Sequence, residues 1–375
     1  MSAYHEVILK PISEVSEYKK NMIPANIPQT YALKPVLQNI AIEEDIRKGI
    51  VAFRDFLCMF FRRLSKEGHM YANPPTKPSG MADYPFLNNM TNMLVDMGYH
   101  GYLVDQGKSL LITELPLCTA QTDGNGKKKP PKISISSQRE CFRFLALCGF
   151  DFEGVDFDEK TFFVSEAQPL EVFYPSAPIL LTGLKALSFA EMELRTDRKY
   201  WNDHNLLRCD YRLLKADDTD IQDVLIDFLY PLHRKVQEFA LQLHQHYMSM
   251  GMECTLSILD DVSFSYAYIG KSNKILSSRD KYQKRVWAFS YSLRYGYSLF
   301  VRAKKTDKYG DMIKSFPLFL QEKINGGYGC YRKMDRERCQ GDCQGIRIPL
   351  DDKLLSFSAD IETWLDMEAS RILRK

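Results

Sequence analysis

Three cysteines late in the chain, Cys330, Cys339 and Cys343, have the type and spacing to do chemistry. They lie in GCYRKMDRERCQGDCQG, where most other residues are charged, polar or Gly, so burial in an apolar core accounts for them poorly. Thiolates at short spacing on a Gly-containing turn suit a structural Zn²⁺, because a tight turn lets the sulfurs point at one ion. The same thiols can instead form a redox pair, their pKa values lowered by Arg332, Arg336 and Arg338, or remain free surface thiols. The C-x8-C-x3-C spacing is neither that of paired C-x2-C knuckles nor that of an iron–sulfur site. A fourth metal ligand therefore has to come from elsewhere, with His246, Cys254 and Cys209 as candidates.

Other chemistry-bearing residues have plainer explanations. His244 and His246 are two apart on an expected helix and point roughly 200° apart, so they cannot share one metal. Asp203, His204, Cys209 and Asp210 in WNDHNLLRCDY offer a Cys–His pair in principle, but nearness in sequence is not catalytic geometry. Asp217, Asp218, Asp220 and Asp223 precede an apolar run, where helix capping and the helix dipole explain them without a cation. They also lack the Gly and the closing Glu of a calcium loop. Gly326-Gly327-Tyr328-Gly329 follows an expected helix instead of opening one, and the common nucleotide-binding, zinc-protease and serine-hydrolase signatures are missing.

Lysine, arginine and aromatic residues interleave over Lys281–Lys305, the composition of a base-stacking sheet surface. Alternation argues against that use. Trp287, Phe289, Tyr291, Leu293, Tyr295, Tyr297, Leu299 and Val301 all occupy odd positions, so a covering helix should hide their rings on one face. If the sheet binds a polyanion, Arg294, Arg302, Lys304 and Lys305 supply the charge, and the lysines at 127–129 add non-specific attraction.

The elements that must position these residues follow from periodicity. The alternation predicts antiparallel strand over 286–302, either one long strand or two bent at Gly296. Ile46, Ile50, Phe53, Leu57, Phe60 and Leu64 form one helical stripe, with acidic residues at its start and basic ones at its end. Further helices are expected from a Ser137–Glu140 capping box, from Pro178, and along Val236–Met250 and Ile361–Ile372. A recurrent pattern joins them. A helix reaches Gly98, Gly149 or Gly251, each placed to take the left-handed conformation, and two short strands around an acidic turn follow. The expected strand pairs are 101–104 with 110–115, 152–157 with 161–164, and 254–258 with 262–268, and a looser fourth copy runs from Phe316 to Leu350.

The fold class is therefore α+β, with antiparallel sheets packed on amphipathic helices in helix-plus-hairpin units. Two domains are expected, near 1–195 and 196–375, with a linker-like loop at 121–132 and a Cys-containing loop at 326–345. The chain has 375 residues, 45% of them hydrophobic and 12% aromatic, enough for real cores and too apolar for a disordered chain. A formal charge of +2, from 50 Lys+Arg against 48 Asp+Glu, excludes polyanion coating driven by total charge. Nine cysteines cannot all pair within the chain, which fits a reducing, cytoplasmic setting. No run approaches the about 20 apolar residues of a membrane span, and the first ten residues lack a secretory core. These features favour a non-catalytic ligand-binding or regulatory module with a structural Zn²⁺. The alternatives are a thiol-dependent or other hydrolase or transferase, and a nucleic-acid binder using the basic sheet.

Overall fold

The strongest apolar stripe in the sequence becomes a long helix, Glu43–Glu67, in a computed structural model that describes residues 10–74, 84–122, 128–157, 164–194, 205–217, 220–258, 262–268, 285–303, 309–326 and 345–373. It buries Ile46, Ile50, Phe53, Leu57, Phe60 and Leu64 as the spacing demands, and Phe56 and Phe61 widen the stripe. Two compact units divide the chain, Met1–Thr219 and Asp220–Lys375. The break falls after residue 195 because 205–217 belong to the first core. Leu33 bridges Lys215, and the Lys34 amide donates to Leu214 O at 2.9 Å.

In the first unit the described helices are α1 (Ile12–Lys20), α2 (Glu43–Glu67), α3 (Pro85–His100), α4 (Ile135–Leu147) and α5 (Leu180–Phe189). The strands are β1 (Tyr102–Val104), β2 (Ser109–Ile112), β3 (Gln121–Thr122), β4 (Lys128–Lys129), β5 (Asp151–Glu153) and β6 (Leu170–Phe173). One antiparallel sheet has the order β1-β2-β6-β5, and β3 and β4 pair as a separate ribbon at the expected linker-like loop. Two helix-plus-hairpin units thus meet through their second strands, α3-β1-β2 against α4-β5-β6.

β5 pairs with β6, and 161–163 of its expected partner strand lie outside the described residues. Two local expectations need correction. Gly98 sits inside α3, where a Cβ would come within 2.2 Å of Ser188 Oγ; it is there for close packing against α5, and the helix runs on to His100. Gly149 and Gly251 do take the left-handed conformation, with φ of +96° and +82°. The cap of α4 is Ser134, whose hydroxyl accepts the Ser137 amide, so Ser137 falls inside the helix instead of opening it.

The second unit carries α6 (Ile221–Leu229), α7 (Arg234–Ser249), β7 (Glu253–Ile258), β8 (Val262–Ala267), β9 (Arg285–Ser292) and β10 (Gly296–Val301). After them come α8 (Gly310–Ser315), α9 (Leu318–Gly326), β11 (Ile346–Pro349), α10 (Asp352–Leu355) and α11 (Ser358–Leu373). The five strands form an antiparallel meander in the order β11-β10-β9-β8-β7. The alternating stretch is a hairpin turned at 293–295, with Gly296 at φ +62°. Trp287 pairs with Val301, so odd residues stay on one face across the turn, while Leu293 and Tyr295 leave the sheet.

That odd face is the core. Trp287, Phe289 and Leu299 are fully buried, Tyr266 stacks on Trp287 at 3.7 Å, and Tyr247 of α7 meets the indole edge-on at 5.2 Å. Phe228 of α6 lies 4.9 Å from Phe264. The class is α+β with antiparallel sheets. Among the described residues no helix is long and apolar enough to cross a membrane.

Candidate functional site

Every residue of β9 is buried, so both faces of the central strand are covered, yet only one of them is apolar. The other presents Ala288, Ser290 and Ser292. A strand covered on both sides ordinarily carries branched aliphatics on both, because a hydroxyl taken out of water costs about 1–3 kcal/mol unless it is hydrogen-bonded. Core packing does not call for serine here.

The strand register turns these isolated serines into rows. Ser257 pairs with Ser263, Ser263 with Ser290, and Ser290 with Ser298, which lines up four hydroxyls across β7, β8, β9 and β10. The adjacent row runs Thr255, Ser265, Ala288, Phe300, Arg347. Ser290 Oγ and Ser298 Oγ are 3.0 Å apart, and Ser263 Oγ lies 3.1 Å from Ser265 Oγ. Arg347 Nη1 donates to Ser290 Oγ at 2.7 Å and reaches Ser298 Oγ at 3.4 Å. Ser290 and Ser298 are only 2% and 1% exposed.

A second arginine joins this face. The register shifts between Tyr266 and Ala267, so that Tyr266 opposes Trp287 while Ala267 opposes Arg285 and Val286 is the extra residue. Such a bulge inverts the two-residue period. Arg285, at an odd position, is thereby carried to the serine side, its guanidinium 4.0 Å from the Phe300 ring centroid. The Arg347 guanidinium stands 5.2 Å from the same ring and 4.8 Å from that of Tyr295. Arg302 follows Phe300 by two residues, is buried, and its amide donates to Val286 O at 2.9 Å.

Guanidinium groups offer only donors, and serine hydroxyls rotate to donate or accept, so the set matches an oxyanion in charge and hydrogen-bonding sense. Acid–base work is poorly served. Among the described strand residues of this sheet the one carboxylate is Glu253, exposed at the edge in the row of Ala267.

Of the residues singled out in the sequence, Arg302 follows β10 directly and is buried. Arg294 lies exposed in the 293–295 turn, 5.1 Å from the Tyr295 ring. Lys304, Lys305, Cys330, Cys339 and Cys343 lie outside the described residues, as do Asp203 and His204. Sequence reasoning missed Arg285, Arg347 and the serine rows. The serines at even positions of β9 and β10 were visible as polar alternation, but their partners on β7 and β8 and Arg347 on β11 are distant in sequence.

The proposed fourth metal ligands are scattered. Cys209 is buried in the first unit with Sγ 3.6 Å from Ile50 O. Cys254 faces Tyr266 in the second unit's core, and His246 is exposed, 3.5 Å from Asp366. His244 points inward, its Nδ1 2.8 Å from the Tyr266 hydroxyl, which confirms that the two histidines diverge. Among the described residues no group of three His, Cys, Asp or Glu is placed to hold a metal.

Burial pushes the thiols of Cys118, Cys148 and Cys254 up to about 12 and raises those of Cys58, Cys141 and Cys209 as well. None of these is an activated thiolate. Asp220 caps α6 by accepting the Gln222 amide at 2.9 Å, as its position before an apolar run implied. Comparison with family models, curated proteins and solved structures yields no match. Function has to be argued from the site.

Proposed function

We propose that the chain is a non-catalytic binding module that takes an anionic ligand on the serine–arginine face of its C-terminal sheet. The in-register row Ser257, Ser263, Ser290, Ser298 beside Arg347 carries this reading, because hydroxyls replace aliphatics on a strand covered on both sides. Trp287, Phe289 and Tyr266 lie on the opposite face under Tyr247 of α7, and the Phe300 and Tyr295 rings on this side are met by Arg285 and Arg347. A compact oxyanion, or the anionic group of a larger ligand, therefore fits better than an extended single strand of nucleic acid. A structural Zn²⁺ at Cys330, Cys339 and Cys343 belongs to the same reading on sequence grounds, and metal content before and after chelation under reducing conditions tests it.

Calorimetric titration with inorganic phosphate and with sulfate tests the anion site. Wild-type protein should bind at least one of them, more weakly at higher ionic strength. Arg347→Ala should weaken binding by about 2 kcal/mol, the size of a charge-assisted hydrogen bond. No binding of either anion, or an unchanged affinity in Arg347→Ala, overturns the proposal.

A further inference from the structure

The last turn of α3 holds a histidine between two carboxylates. His100 Nε2 lies 3.6 Å from Asp96 Oδ1, and His100 Nδ1 is 2.8 Å from Glu114 Oε1. Asp96 and His100 are four apart on one helix face, and Glu114 follows β2, which the β1–β2 pairing returns toward the end of the helix. The two carboxylates differ in setting. Asp96 is 5% exposed and Glu114 is 65% exposed, so the ring bridges an interior carboxyl and a solvated one.

Asp96 also anchors backbone. Its Oδ2 accepts the Leu117 amide at 3.0 Å, while Leu117 O accepts the Ile133 amide at 3.0 Å. Gln138 Nε2 donates to Cys118 O at 2.8 Å and to Ile133 O at 2.7 Å. Segment 114–118, which leads into the β3–β4 ribbon, is thus held to α4 by neutral hydrogen bonds and to α3 by two ionisable groups, Asp96 from the interior and His100 at the surface. The groups facing Asp96 are His100 on its own helix, Glu114 after β2, the Cys118 thiol, and Lys132 ahead of α4. Behind Cys118 stands the Cys141 thiol of α4, and the Tyr99 ring meets His100 edge-on at 5.1 Å.

We propose that Asp96, His100 and Glu114 form a proton-operated latch, which holds segment 114–118 against α3 in acidic solution and loosens it as the pH rises toward neutral. Burial pushes the Asp96 carboxyl from 3.8 up to about 6, against the lowering pull of the Leu117 amide, His100 and Lys132. Its closed-state pKa lies above the open-state value, so its contribution is complete below about 4 and is lost as the pH climbs through about 6. Above that range the closed segment keeps an ionised interior carboxylate, with the Glu114 carboxylate on the far side of the His100 ring.

Amide hydrogen exchange of segment 114–118 in the full chain, corrected for the intrinsic pH dependence of exchange, tests the latch. Between pH 5 and pH 8 its opening constant should rise roughly tenfold, the change expected when one carboxyl moves from 3.8 to about 6 on closing. Asp96→Asn keeps an acceptor for Leu117 but has no proton to lose, so its opening constant should stay flat. Glu114→Gln, at an exposed position, removes a like charge and should move the wild-type midpoint to lower pH. A wild-type constant that is flat or falls with pH overturns the latch, as does an Asp96→Asn profile that rises like wild type. Should Asp96→Asn not fold, an unmoved midpoint in Glu114→Gln overturns it instead.

Discussion

Gly183 faces Gly49 so closely that a Cβ on it would sit 2.1 Å from Gly49 O, a backbone atom that cannot swing away. Gly183→Ala should therefore push α5 off α2 and cost about 1–3 kcal/mol or more, read as a lower urea midpoint. The apolar pattern identified both helices but not this crossing, because α2 and α5 are far apart in sequence and a glycine in a helix announces no partner. Asp210 is a second case. Arg212 Nε lies 2.7 Å from its carboxylate, and this cation holds the carboxyl below its ordinary 3.8 despite burial. A depressed carboxyl stabilises the fold above its unfolded pKa and loses that effect as the pH falls through the folded value. Arg212→Ala removes the nearer of two cations, leaving Arg208, and should cost about 1–3 kcal/mol near neutral pH, with a smaller loss in acid. Differential scanning calorimetry at two pH values checks both parts.

At the scale of elements, the serine rows link binding to stability. The double substitution Ser290→Ala, Ser298→Ala removes both hydroxyls of a 3.0 Å pair and leaves Arg347 to find other partners. Losing both members of the hydroxyl pair costs little by itself, and the Arg347 donor left behind adds about 1–3 kcal/mol of destabilisation, while phosphate affinity falls about tenfold. Chemical denaturation alongside calorimetry reads the two effects, and a loss of stability with unchanged affinity would mean that the row is merely structural. The helix α4 offers a simpler check on local reasoning. Ser134→Ala deletes the hydroxyl that accepts the Ser137 amide and should cost about 1 kcal/mol of stability. Ser134 is legible as a cap once the helix start is known. The Ser137–Glu140 spacing was the stronger signal on paper, and capping motifs tolerate such shifts because several serines compete for the same amides.

For the whole molecule, each unit has a sheet and a core of its own: Phe53, Phe56 and Phe60 in the first, and Trp287, Phe289 and Trp364 in the second. A fragment spanning 220–375 should unfold cooperatively in urea, and a gradual, uncooperative loss of signal would show that it needs its neighbour. Periodicity alone specified the α+β class, the buried stripe of α2, the α7-β7-β8 unit and the ring-bearing face of β9 and β10, because these depend on which side of one element each residue occupies. Tertiary structure alone decided which serines stand side by side, that a bulge carries Arg285 to their face, that Arg347 completes it, and that His100 sits between Asp96 and Glu114. Pairing register and bulges are set by contacts between distant segments, and a one-residue slip in any strand would send every side chain to the other face.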